Sequence, residues 1–154
     1  MSFKPFGPAQ YYEDFAVGDR FRTEPVAFDE AMIVAFGKQY DPQGFHTDRD
    51  YAAKTIYGGI IASGWQVAAL TFRSLIDAGF LRGGGMGSPG LDVMRWHKPV
   101  RPGDRVHLEL TVTESRPSNS RDDRGYVNFD VAALNQKGET VMSYKVMEIL
   151  RRRG

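Results

Sequence analysis

The chain has 154 residues, of which 42% are hydrophobic and 25% charged, a composition typical of one globular domain. Its 20 Lys and Arg residues nearly balance 19 Asp and Glu residues, and the formal charge of +1 argues against a nucleic-acid-binding protein. The absence of cysteine excludes disulfide bonds and thiolate chemistry, and the three histidines form no metal-binding pair, so we expect one domain over residues 1–154 without a metal.

The N-terminal 15 residues contain no apolar run of signal-peptide length, so we expect the protein in the cytoplasm. An uncharged run, residues 55–72, is long enough to raise the question of a membrane span. Gly58 and Gly59 interrupt its beginning, and Ser63 and Gln66 are among the polar residues that dilute it. We therefore interpret it as a buried helix that follows a polar loop, and we expect no membrane partner.

Helical periodicity characterises the first part of the chain. Asp29 is suited to cap a first helix, and Pro42 disfavours helical angles at Asp41, which is therefore its predicted end. A short helix is expected next, because residues 47–50 form a capping box that begins at Thr47. One stripe of the first helix is apolar or small, namely Ile33, Phe36, Gly37 and Tyr40.

A longer helix is predicted from about Ile60 to Ala78, with Gly79 as its C-terminal stop. Its first turns are apolar or small on almost every side, which indicates a helix surrounded by protein at the centre of the fold. The residues that indicate this are Ile61, Trp65, Ala68, Ala69, Phe72 and Ile76, together with Val67, Leu70 and Leu75.

Period-two alternation characterises the second part of the chain. It predicts three long strands that present residues 106–112, 127–133 and 142–146 alternately to two faces, with shorter strands near 91–97 and 19–23. The polar run Arg116–Gly125 is typical of a hairpin tip. Long antiparallel strands and one apolar helix together predict an α+β fold, in which a curved antiparallel sheet wraps around a long central helix.

Asp41 and His46 are the first candidates for catalysis. They lie five residues apart in a turn that contains Pro and Gly, and such a loop can direct both side chains to one point. A carboxylate and an imidazole together can hold water and exchange its protons. The alternative is structural, because an Asp before Pro is most often a turn or cap residue and a single His most often has a packing role.

The approach to the long helix, residues 57–65, is the second candidate. Free N–H groups at a helix N-terminus carry a partial positive charge and suit an oxyanion or a polarised carbonyl. Gly64 would allow a ligand to approach the backbone closely. The alternative is that the glycines of this segment relieve crowding where a buried helix meets the sheet.

The two segments resemble the MaoC-like dehydratase family, relatives of the (R)-specific enoyl-CoA hydratases, which have the hotdog fold. The family pattern places a His five residues after an Asp and a further Asp two residues beyond. An Ile-x-x-Gly approach to the central helix follows, and then Pro-Val-x-x-Gly-Asp before a strand. The matching positions here are Asp41, His46, Asp48, Ile61–Gly64 and Pro99–Asp104.

The resemblance implies a hydro-lyase that reversibly adds water to the 2,3 double bond of an enoyl-CoA, with R-specificity expected. Asp41 and His46 would manage the water's proton, and Gly64 with Ser63 would bind the thioester carbonyl. Phe45, Tyr57 and Trp65 are the candidate walls of an acyl pocket. The substrate would be a coenzyme A or acyl-carrier-protein thioester, and no cofactor is expected. Because members of the family typically dimerise through their sheets, we expect a homodimer or an assembly of dimers.

Three positions depart from the family pattern. Gln43-Gly44 stands where the hydratases carry Asn-Pro, Ser63 where a His is common, and Ala69 near a serine that supports the catalytic His in some relatives. An acyl-CoA thioesterase is one alternative, although residues 55–72 lack the carboxylate that such enzymes place on or beside the central helix. A non-catalytic acyl-CoA-binding protein is the other.

The remaining polar and aromatic residues favour structural roles. Trp65 and Trp96 are expected to pack, although either could line the acyl pocket. His97 and His107 lie in predicted strands without an acidic partner and are expected on the surface. The run 151–153, three arginines, is expected to be a solvated tail.

Overall fold

The computed structural model describes residues 2–154. Its elements in chain order are β1 (Arg20–Arg22), β2 (Val26–Ala27), α1 (Glu30–Tyr40), α2 (Gly44–Thr47), α3 (Arg49–Ala53), α4 (Gly64–Asp77), β3 (Leu91–Trp96), β4 (Arg105–Pro117), β5 (Arg124–Leu134) and β6 (Thr140–Arg151). A short 3-10 helix over Tyr12–Asp14 precedes β1. The α+β class that the sequence predicts is thereby confirmed.

The strands form one antiparallel sheet in the order β1-β4-β5-β6-β3, and β2 pairs with the beginning of β4. In register, Leu110 lies opposite Val131, which lies opposite Tyr144. The predicted alternation is confirmed, because one face of the long strands is buried. Its residues are Val106, Leu108, Leu110, Val112, Val127, Phe129, Val131, Ala133, Met142, Tyr144 and Val146.

Helix α4 packs on this buried face through Val67, Thr71 and Leu75. It begins at Gly64, so the predicted beginning at Ile60 is wrong. Residues 60–63 are buried, but they form a non-helical segment between two other parts of the chain. The segment is bonded on both sides: the Ala62 N–H donates to the Val100 carbonyl, and the Ile61 N–H donates to the carbonyl of residue 45.

The prediction that protein surrounds α4 on every side is also wrong for this chain. Trp65, Phe72 and Ile76 on the outer face are 61%, 43% and 39% exposed. The end of the helix agrees with the sequence prediction, since Gly79 adopts a φ of +109°, which favours glycine.

Helix α1 has the predicted cap and end. The Asp29 carboxylate accepts a hydrogen bond from the Met32 N–H, and the helix ends at Tyr40. The stripe is buried only at Ile33 and Gly37, whereas Tyr40 is exposed.

The capping box at Thr47 is wrong. Thr47 is the last residue of α2, and the side chain that caps α3 is Asp48, which accepts from the Tyr51 N–H at 2.9 Å.

Two surface predictions need correction. The C-terminal arginines are not a solvated tail, because Arg153 bonds the Asp14 carboxylate at 2.5 Å and Arg152 lies 3.6 Å from Glu13. His107 does have an acidic partner, since its Nε2 lies 3.0 Å from Glu109 on the same strand.

Among residues 2–154, no helix is long and apolar enough to cross a membrane.

Candidate active site

The loop between α1 and α3 brings a carboxylate and an imidazole together. Asp41 is the C-cap residue of α1, and its N–H donates to the Gly37 carbonyl at 2.9 Å. The chain then re-enters a helical turn, α2, which carries His46 back over α1. Gly37 permits this approach, because a Cβ at that position would lie 2.9 Å from the His46 Cβ.

The presence of glycine at position 44 has a local structural reason. A Cβ at position 44 would lie 2.3 Å from the Tyr51 ring, so the ring of the proline that the family carries there would collide with Tyr51. Gly44, in place of the family's Pro, therefore allows Tyr51 of α3 to pack against α2.

Both nitrogens of the His46 ring contact oxygen atoms. Nε2 lies 3.1 Å from Asp41 Oδ2, and Nδ1 lies 2.6 Å from the Ile61 carbonyl. The His46 residue is only 4% exposed and the Asp41 side chain 16%. Since a carbonyl oxygen only accepts, Nδ1 is the donor in the bond to Ile61.

Asp41 accepts two further side-chain hydrogen bonds. Gln43 Nε2 donates to Oδ1 and Ser63 Oγ donates to Oδ2, each at 2.7 Å. Burial acts to raise the pKa of Asp41, but these two bonds and the neighbouring His46 outweigh it and hold the pKa below its ordinary value. The arrangement thus favours an ionised carboxylate.

The N-terminus of α4 lies beside this pair. Ser63 precedes the helix, and Gly64 is its first residue, whose N–H donates to no acceptor within residues 2–154. Glycine at 64 relieves crowding where the helix meets the sheet, which is the alternative that the sequence left open. A Cβ there would lie 2.3 Å from the Trp96 indole, and Trp96 Nε1 donates to the Gly64 carbonyl at 3.1 Å.

A cavity of about 370 Å³ opens over these groups. The predicted residues Asp41, Phe45, His46, Tyr57, Gly64 and Trp65 all line it, whereas Ser63 lies behind Asp41. Further lining residues are Gln43, Ile61, Ala62, Val67, Trp96, His97, Lys98, Pro99, Val100 and Val141.

The structure therefore brings all the sequence-predicted site residues to one place, while their roles stay predictions. Sequence reasoning missed Gln43 as a partner of Asp41, although its position in the loop, where the family carries Asn, was the available signal. Ser63 was expected at the thioester carbonyl, and in the structure its hydroxyl bonds Asp41.

An antiparallel sheet packed on one long helix, with an Asp–His pair beside the helix N-terminus, defines a protein of the hotdog fold. The family model of the MaoC like domain matches residues 14–133, and the chain belongs to the MaoC-like dehydratase family.

Known proteins resemble the chain over nearly its whole length. The structure of a MaoC-like dehydratase from Rhodospirillum rubrum is 40% identical, with a TM-score of 0.89 over 95% of this chain and 99% of that one. An R-hydratase from Pseudomonas aeruginosa is 29% identical, with a TM-score of 0.72 over 94% and 86%. The uncharacterised protein YdeM of Bacillus subtilis (strain 168) is 29% identical over 91% of this chain and 98% of its own length.

Proposed function

We propose that the protein is an acyl-thioester hydratase or dehydratase, a hydro-lyase that acts on enoyl-CoA. The observation that carries the proposal is the 3.1 Å contact of Asp41 with His46 in a cavity that also contains the N-terminus of α4. A proton-managing pair and an electrophilic helix terminus are the two groups that this reaction needs. The resemblance to an R-hydratase supports the expectation of R-specificity.

The reaction consumes one water and forms no bond to the protein. The Asp41 carboxylate, which His46 contacts through Nε2, binds the water, whose oxygen bonds to C3 of the substrate while the π bond between C2 and C3 breaks. The electron pair moves toward the thioester carbonyl, where the Gly64 N–H stabilises the negative charge. The proton that the pair removes from water is then delivered to C2, and dehydration is the reverse sequence.

The cavity wall supports an acyl thioester as substrate. Phe45 and Tyr57 pack at 5.3 Å between ring centroids on one side, and Trp65 and Trp96 pack at 5.2 Å on the other. Such aromatic walls suit the apolar part of an acyl chain. We propose a coenzyme A or acyl-carrier-protein thioester as substrate, no cofactor for the reaction, and the cytoplasm as location.

Incubation of the purified protein with a series of trans-2-enoyl-CoA substrates tests this function, with loss of the enoyl absorbance as the signal. Hydration that Asp41→Asn and His46→Ala both abolish is the expected result. Release of free coenzyme A without hydration would instead identify a thioesterase. Binding of the thioesters without either reaction would identify a non-catalytic acyl-CoA-binding protein.

We also propose that the protein is a homodimer, or an assembly of dimers. Among residues 2–154, strand β3 pairs with β6 only, and its other edge has no partner strand there. An unpaired edge strand is a template for another strand. Leu91, Val93 and Trp96 of β3 are 48%, 60% and 46% exposed. Val93 lines a cavity on the other face of the sheet with Asp130 and Lys145. On the side of α4, Trp65 packs on Trp96, and we call the exposed apolar residues of this side the edge patch: Trp65, Phe72, Ile76, Leu91 and Trp96.

A further inference from the structure

Ser63 makes an unusual hydrogen bond for a serine that directly precedes a helix. At this position a serine hydroxyl ordinarily accepts a hydrogen bond from the first turn. Within the described part of the chain, residues 2–154, Ser63 accepts no such bond, and its hydroxyl donates to Asp41 Oδ2 at 2.7 Å. The residue is fully buried, so water does not compete for this bond.

The hydrogen bonds to Asp41 can be counted. An ionised carboxylate has about four acceptor sites, two on each oxygen. Oδ2 uses both, for Ser63 Oγ and His46 Nε2, and Oδ1 uses one, for Gln43 Nε2. One acceptor site on Oδ1 is left, and Asp41 is one of the residues that line the cavity.

Ser63 also connects the two halves of the site. It belongs to the segment that ends at the Gly64 N–H, and Asp41 belongs to the loop of the proton-managing pair. The same two segments are joined by the bond from His46 Nδ1 to the Ile61 carbonyl. Of these hydrogen bonds, the one between Ser63 and Asp41 lies nearest to the beginning of α4. It therefore fixes the distance between the Asp41 carboxylate and the N-terminus of this helix.

We propose that Ser63 is a positioning residue for hydration: its hydroxyl holds the Asp41 carboxylate in the orientation in which the reacting water binds the remaining acceptor site of Oδ1. The inference rests on the proposed function and adds a role for the residue that replaces the family's His. Gln43 donates to the other oxygen at the same 2.7 Å, but its side chain is exposed to water, whereas Ser63 is fully buried.

The Ser63→Ala variant removes the donor and leaves the Asp41 carboxylate partly buried. Because burial then opposes ionisation with less compensation, the pKa of Asp41 rises. We expect kcat at pH 7 to fall about tenfold or more with little change in KM, and the acid limb of the kcat/KM profile to move up by about one pH unit. Ser74→Ala is the matched control, because Ser74 lies on the same helix and bonds only the Thr71 carbonyl.

A second measurement does not depend on activity. The side-chain carboxyl carbon of Asp41, identified by its loss in Asp41→Asn, is titrated by NMR in the wild type, in Ser63→Ala and in Ser74→Ala. A midpoint that rises only in Ser63→Ala supports the proposal, and an unchanged midpoint overturns it. A wild type that hydrates no thioester would refute the proposed function, and the titration would still decide whether Ser63 controls Asp41.

Discussion

The Trp96 indole constrains Gly64 from its side-chain direction. The Trp96 indole fills the volume of the missing side chain and donates a hydrogen bond to the carbonyl of the same residue. A single substitution therefore tests how tightly the beginning of α4 is packed against β3.

Gly64→Ala is expected to destabilise the protein by about 1–3 kcal/mol, because a Cβ 2.3 Å from the indole forces Trp96 to move. Urea unfolding measures the change, and tryptophan fluorescence reports the displaced ring. Gly59→Ala is the matched control, since a Cβ there meets only Arg101 at 3.8 Å, an ordinary contact. Equal stability of the two variants would contradict the argument, and combination with Trp96→Leu should restore part of the loss.

Asp48, the second Asp of the family pattern, stabilises a short helix beside the candidate site. Its carboxylate caps α3, and this short helix holds Tyr51 over Gly44 and thereby supports the loop of the catalytic candidates. A helix of five residues has little intrinsic stability, so its cap matters.

Asp48→Ala is expected to lower the free energy of unfolding by about 1 kcal/mol, the usual cost of a lost N-cap. Asp50→Ala removes the same charge from the same helix without removing a cap bond, and should cost clearly less. Denaturant unfolding of both variants makes the comparison, and an equal loss in both would show that charge, not capping, is responsible.

Elements differ in how well the sequence predicts them, for physical reasons. The alternation at Val106, Leu108 and Leu110 predicted a strand correctly because a sheet with one buried face imposes a period of two. The beginning of α4 was misplaced because Ile60 and Ile61 are apolar through burial in an extended segment, and burial without periodicity carries no information on conformation.

The candidate site was predictable in its residues but not in its connections. The spacing of Asp41 and His46 indicated the pair, and the structure places them 3.1 Å apart. The bonds from Gln43 and Ser63 depend on how two distant segments pack, which local sequence does not encode. For the same reason the exposed face of α4 was unexpected, since its apolar residues looked like core.

At the scale of the whole molecule, the edge patch predicts self-association. We expect light scattering at micromolar concentration to give at least the mass of a dimer. Phe72→Glu and Leu91→Arg place charges on the patch and should shift the protein toward the monomer. Val17→Glu is the control, because Val17 is 65% exposed but lies just before β1, at the opposite edge of the sheet. A wild-type monomer would overturn the dimer proposal.

Stability should also depend on pH through one buried acid. Glu148 lies on the inner face of β6 and is only 4% exposed, and among residues 2–154 it accepts no side-chain or turn hydrogen bond. Burial raises its pKa to about 7 from an ordinary 4.5. The folded state therefore binds more protons than the unfolded state between these values, so the contribution of Glu148 is fully present below pH 4.5 and is lost as the pH rises through about 7.

The expected loss in the wild type is about 3 kcal/mol over this range, since each pKa unit corresponds to about 1.4 kcal/mol. Glu148→Gln keeps the shape and cannot ionise, so its stability should lack this decline and exceed that of the wild type at pH 8. Urea unfolding from pH 4.5 to 8, at one protein concentration because association also stabilises, makes the comparison. Carboxylates with a lowered pKa, such as Asp41 and Asp19, lose their contribution to stability only as the pH falls through their pKa in the folded state. This contribution is the same in the wild type and in Glu148→Gln. Parallel curves for the two proteins would show that the Glu148 carboxyl reaches water in the folded state.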